Sequence, residues 1–200
     1  MNSNKKILRW CLLFLSVFVV YACNIKNTDT FKDESVFQLS ILTRDVGAFD
    51  KGLGQDWETA WPTLQNAFPN KIEYTFFEDD VESYDWSNQV ITLTSPVTDK
   101  FLDDSTIILG NRDVGYLRDR AFVVSYAGEL IYGGLFLREM PVATAFNYPV
   151  SDYSLSNDRV IFKLRPYHQV FEIPSDDPGW GRIKDERVKE LFDQLGKLVE

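Results

Sequence analysis

Three observations predict an α+β fold: a single domain built on one antiparallel-rich sheet, with a central hairpin and helices packed on it. Two runs of β-branched and aromatic residues, Phe122–Tyr126 and Glu129–Phe136, flank the short turn Ala127-Gly128. Apolar and polar residues alternate along Val36–Leu42 and Arg159–Leu164. The chain closes on a helical stripe of Val188, Leu191, Phe192, Leu195, Leu198 and Val199. A side-chain period of two in some segments and of roughly 3.6 in others is the pattern of a sheet carrying helices.

Taken in order, the domain begins at Val36 with a strand in which Phe37, Leu39 and Ile41 alternate with Gln38 and Ser40. The glycine-bearing stretch Asp45–Gly54 lacks the spacing of a phosphate-binding loop and reads as a mobile loop. Asp56–Phe68 places Trp57, Ala60, Trp61, Leu64 and Phe68 on one helix face, where paired tryptophans fill a core. Pro62 conflicts with a helix starting at Asp56, and a cap at Thr59 or a kink would resolve it. Ile72–Phe77 is a strand, followed by the acidic run Glu78-Asp79-Asp80-Val81-Glu82 as a loop. Gln89–Leu93 is a further strand after a turn at Ser87-Asn88, and Thr98–Leu102 is a short helical turn.

The segment Gly110–Arg120 is polar and reads as irregular. In the central hairpin, apolar residues on both faces mean that something packs on each side. Gly133-Gly134 within it marks a bulge or a close backbone approach. This hairpin alone is similar to one in the periplasmic domain of the SecD export protein, a likeness that implies nothing further. Pro166 ends the strand 159–164, Pro174–Gly181 is turn-rich, and the last helix starts near Asp185 with acidic residues at its N-terminal end.

Ahead of the domain stand Lys5, Lys6 and Arg9, then an uncharged apolar run from Trp10 to Ala22, then Cys23. A helix of that run would be about 20 Å long, short of the ~30 Å hydrocarbon core of a bilayer. The layout is that of a secretory signal, residues 1–22. Val20-Tyr21-Ala22-Cys23 resembles the lipobox of bacterial lipoproteins, which implies cleavage before Cys23 and acylation of its thiol. Tyr21 is larger than the residue usual there, and ordinary cleavage after Ala22 is the alternative. Residues 23–35 are then a lipidated Cys and a polar tether. Asn24, not Asp, follows the Cys, and the resemblance implies the outer membrane if the cell is Gram-negative. Residues 36–200 form the domain.

The precursor has a formal charge of −9, and removing the signal makes it more acidic, because residues 1–22 carry bases and no acids. Such a surface repels nucleic acid and anionic headgroups and suits a basic protein partner or bound cations. Cys11 leaves with the signal, so Cys23 is alone in the mature chain and no internal disulfide forms. His168 is the single histidine, which excludes a histidine-rich zinc site, and no G-x-S-x-G elbow accompanies it. No metal and no cofactor is expected.

The remaining candidates are the carboxylates Glu78, Asp79, Asp80, Glu82 and Asp85. They lack the spacing of a Ca²⁺-binding EF-hand, and neighbouring side chains on a strand diverge. The reading is a partner-facing acidic surface rather than a catalytic pair. Function accordingly reads as a membrane-anchored envelope lipoprotein with a non-catalytic protein-binding or structural domain. The alternative is a carboxylate-dependent envelope hydrolase or a small-ligand-binding lipoprotein.

Overall fold

The computed structural model describes residues 35–47, 56–109, 114–118, 120–137, 146–167 and 173–199. Cys23 and the whole signal and tether up to residue 34, the glycines at 52 and 54, the segment 110–113 and His168 lie outside them. Val36–Glu200 is one compact unit.

The element order is β1 (Phe37–Leu42), α1 (Arg44–Gly47), α2 (Trp57–Ala67), β2 (Ile72–Phe77), β3 (Val81–Asp85), β4 (Val90–Leu93), α3 (Ser95–Leu109), β5 (Ala121–Tyr126), β6 (Glu129–Leu137), β7 (Val150–Ser156), β8 (Arg159–Arg165), α4 (Glu186–Gln194) and β9 (Leu198–Val199). Short 3₁₀ turns occupy Glu78–Asp80, Val114–Leu117 and Pro178–Arg182. All the strands join one nine-stranded sheet in the order β2-β1-β5-β6-β7-β8-β4-β3-β9. The β6–β7 and β3–β9 pairs are parallel and the others antiparallel.

This corrects the α+β expectation. The protein is dominated by a large mixed sheet, with strand residues outnumbering helical ones, rather than a balance of sheet and packed helices. Three strands that sequence periodicity does not reveal account for the difference. In β3 the pairing slips between Val81 and Ser83, so Glu82 is an extra residue and Val81 and Tyr84 both turn inward. In β7, Val150, Ser151 and Tyr153 are buried while Leu155 is exposed, which is no alternation. β9 lies inside the expected terminal helix: α4 stops at Gln194, Gly196 takes a left-handed φ of 66°, and Leu198–Val199 then pairs with β3.

The hairpins are as their turn residues require. Ala127 and Gly128 have φ of 49° and 80°, and Asn157 and Asp158 have 50° and 56°, the positive values that suit two-residue hairpin turns. The helix α2 begins at Trp57 with Asp56 as N-cap residue, and Thr59 donates its hydroxyl to the Asp56 carbonyl within the first turn. Pro62 sits inside the helix on an exposed position. The expected turn at 98–102 is part of the much longer α3.

The sheet is rolled. In a flat sheet, β2 and β8 would stand about 24 Å apart, being five strand spacings of roughly 4.8 Å from one another. Instead the rings of Phe76 on β2 and Phe162 on β8 lie 5.6 Å apart, and Phe162 also meets Phe136 of β6 at 5.4 Å. Helix α4 wedges into the concave side: buried Phe192 contacts Phe37 of β1 edge-on at 5.1 Å and Tyr84 of β3 at 5.1 Å. Phe101 and Leu102 of α3 complete this core.

The other face of β1, β5 and β6 is covered by Ala60, Leu64 and Ala67 of α2, with Phe146 and Tyr148. Gly133-Gly134 is the close approach the sequence marks. A Cβ on Gly134 would fall 1.7 Å from the Pro149 carbonyl oxygen, and one on Gly133 would fall 3.0 Å from Leu64 Cδ1.

Candidate functional site: the acidic segment 78–85

The chain leaves β2 at Phe77, makes one 3₁₀ turn through Glu78–Asp80 and re-enters the sheet as β3. That reversal exposes three backbone N–H groups near its start, and two carboxylates take them up. Glu78 accepts the N–H of Val36 through Oε1 at 3.2 Å and that of Phe37 through Oε2 at 3.1 Å, a fork across the first residues of β1. Asp80 Oδ2 accepts the N–H of Phe77 at 2.8 Å. The Glu78 and Asp79 carbonyls are in turn held by the ammonium of Lys197, at 2.7 and 3.5 Å.

Glu82, thrown outward by the bulge, pairs with Arg159 Nε on β8. Asp85 closes the turn to β4 by accepting from the backbone N–H and the side-chain amide of Asn88, at 2.9 and 2.8 Å. Behind this turn, the buried Tyr84 hydroxyl donates to Gln89 Oε1 at 2.8 Å, and Gln89 Nε2 donates to the Trp86 carbonyl. Burial pushes the Tyr84 hydroxyl well above the ordinary tyrosine range. Asp79 is an exposed residue of the turn.

The five carboxylates named from the sequence share a segment, and four of them hold different parts of the fold. Glu78 and Asp80 bond backbone, Glu82 bonds an arginine and Asp85 bonds a turn. The expectation of a plain loop is corrected by β3 and by these contacts, which tie residues 78–80 to β1 and to residue 197. Among the described residues, no group of three His, Cys, Asp or Glu is placed to hold a metal ion.

A second polar centre had no local signal in the sequence. Arg120 is buried at the start of β5, donating Nε to the Tyr116 carbonyl at 3.0 Å and Nη1 to the Leu42 carbonyl at 3.4 Å. Nη1 also pairs with the Glu73 carboxylate, and the guanidinium carbon lies 3.9 Å from the centre of the Tyr116 ring. Desolvation foremost, and the hydrogen bond to Glu73, raise the Tyr116 pKa. The buried guanidinium and phenol meet a carboxylate that stays open to solvent, and together they pin the end of β1 to β2 and β5. Only an Arg directly before an apolar strand marks the position, and its partners Leu42 and Glu73 are far away in sequence. In comparisons with known proteins, the chain matches no protein family, no curated protein and no solved structure.

Proposed function

We propose that this chain is a lipid-anchored protein of a bacterial cell envelope whose domain binds a protein partner or serves a structural role without catalysis. The anchor reading rests on the basic start, the short apolar run and Val20-Tyr21-Ala22-Cys23, with acylation at Cys23. The outer membrane is the destination if the cell has two membranes.

One observation carries the non-catalytic reading: Glu78, Asp80, Glu82 and Asp85 are each bonded to a different partner inside the fold. A carboxylate acid–base pair needs two groups converging on one substrate position. Groups committed to backbone N–H and to an arginine are poorly available for that work. Asp79 and Glu82 are the most solvent-exposed of the five, and they are the charges a basic partner would meet.

The test is cross-linking of the lipidated protein in intact cells, with the neighbouring protein identified by mass. Enrichment of one basic protein, reduced in an Asp79→Asn, Glu82→Gln variant that still folds, supports the reading. A convergent hydrolytic activity with no enriched neighbour contradicts it.

A further inference from the structure

The two ends of the sheet are built differently. At one end β9 offers only Leu198–Val199. At the other, β2 runs for six residues, and among the described residues it pairs with β1 alone, with no other strand or helix running along it. Every residue of β1 is buried, whereas in β2 only Phe76 is, so solvent reaches this edge. An open edge is a template for a further strand unless proline, lysine or an outward charge guards it. β2 contains no proline and no lysine, and its one charged residue, Glu73, is turned to Arg120. Glu73 is also the extra residue where the pairing with β1 slips, which leaves Tyr74–Phe77 in regular register.

The backbone says which groups the edge presents. The Phe77 N–H donates to Asp80 Oδ2 at 2.8 Å, so it points away from β1. Backbone direction alternates along an antiparallel strand, so the N–H and C=O of Thr75 point away from β1 as well. Two such edges meeting about a two-fold axis must set outward residues opposite outward residues. The register centred on Thr75 does this, with Thr75 exchanging N–H···O=C bonds with Thr75 of the second copy. The same register sets Lys71 opposite Asp79 of the second copy, since both are equally far from Thr75. Registers centred on Tyr74 or Phe76 set Lys71 opposite Phe77 or Val81 instead. Lys71 and Asp79 are both exposed at the two ends of β2. An ammonium has several donors, so Lys71 can add this carboxylate to Asp45, which it holds at 2.9 Å.

We propose that β2 is a homodimer interface, at which two copies of this chain join edge to edge, antiparallel about a two-fold axis through Thr75. Main-chain hydrogen bonds supply the attraction, and Lys71 of each copy facing Asp79 of the other fixes the register. The sheet then runs on through both chains.

The test is sedimentation equilibrium of the full chain in detergent, together with cysteine cross-linking. The expected result is a reversible dimer. Thr75→Lys places like charges face to face at the axis and should weaken it at least about tenfold. Lys71→Glu and Asp79→Lys should each weaken it, and the two combined should restore it. On oxidation Thr75→Cys should cross-link to itself, because opposed residues of a hydrogen-bonded pair lie about 5.5 Å apart, within disulfide reach. Lys163→Cys, on exposed β8 surface, should not exceed the parent chain. A monomer at every concentration, a dimer that Thr75→Lys leaves intact, a double reversal no tighter than either single change, or cross-linking at 75 no faster than at 163 overturns the proposal.

Discussion

Replacing Phe192 by Ala probes how the rolled sheet is closed. Phe192 is fully buried, meeting Phe37 edge-on with rings at 71° and Tyr84 at 57°, both with centres 5.1 Å away. These partners belong to strands second and eighth in the sheet order, so one ring joins the two sides of the roll. Truncation removes a whole ring from a packed interior and leaves a cavity, which costs about 3–5 kcal/mol for Phe→Ala. The two ring contacts contribute roughly 0.5–1.5 kcal/mol each within that sum. Against a typical total of about 5–15 kcal/mol, the variant should be close to unfolding. Urea denaturation followed by tryptophan emission measures the difference. The control is Leu195→Ala, because Leu195 is 42 % exposed at the end of the same helix and should change stability by less than about 0.5 kcal/mol. A loss below about 1 kcal/mol for Phe192→Ala, or equal losses in the two variants, would refute α4 as the closing wedge.

Other substitutions test separate contacts. Gly134→Ala forces a methyl group onto the Pro149 carbonyl and should cost at or above the roughly 3 kcal/mol top of the usual overpacking range, read as a fall in Tm or loss of soluble protein. Glu78→Gln removes the charge from the fork over Val36 and Phe37 and should cost about 1.5–3 kcal/mol in urea melts, while Asp79→Asn should be nearly neutral. Asp185 has its pKa lowered, first by the Arg187 hydrogen bond. Its contribution should be complete above about pH 4, the unfolded carboxylate value, and vanish as pH falls through the lower folded value. An Asp185→Asn variant should therefore be less stable by about 0.5–1 kcal/mol at neutral pH and equal to the parent in strong acid.

What the sequence reveals depends on whether the cause is local. Strands β1 and β8 are legible from their alternation of apolar and polar residues, β5 and β6 from their runs of β-branched and aromatic residues, and the hairpin because Ala127-Gly128 takes positive φ. Strand β3 is hidden by the bulge at Glu82, which breaks the alternation that periodicity detects. Strand β9 is hidden because Leu198 and Val199 continue the spacing of the helical stripe, and only Gly196 marks the stop. Missing these strands is what turns a sheet-dominated protein into an expected α+β balance.

The candidate sites divide in the same way. The acidic segment is conspicuous as composition, and Asp80 and Asp85 act locally, but the roles of Glu78 and Glu82 are set by residues far off. Glu78 bonds Val36 and Phe37 across 42 and 41 positions, and Glu82 meets Arg159 across 77. Arg120 reaches Glu73 across 47 positions, and Trp86 meets Lys184 only because β3 and the approach to α4 lie side by side. No spacing rule along the chain encodes such pairs. They appear once the sheet order is known.

The claim that this is a lipid-anchored envelope protein is tested most directly by the intact mass of the protein recovered from the membrane fraction of its own cells. The expected result is a chain lacking residues 1–22, with acyl groups on Cys23, and its shift to the soluble fraction or a stalled precursor in Cys23→Ser. A mature chain with an unmodified Cys23, or normal cleavage and unchanged membrane retention in the Ser variant, would contradict it.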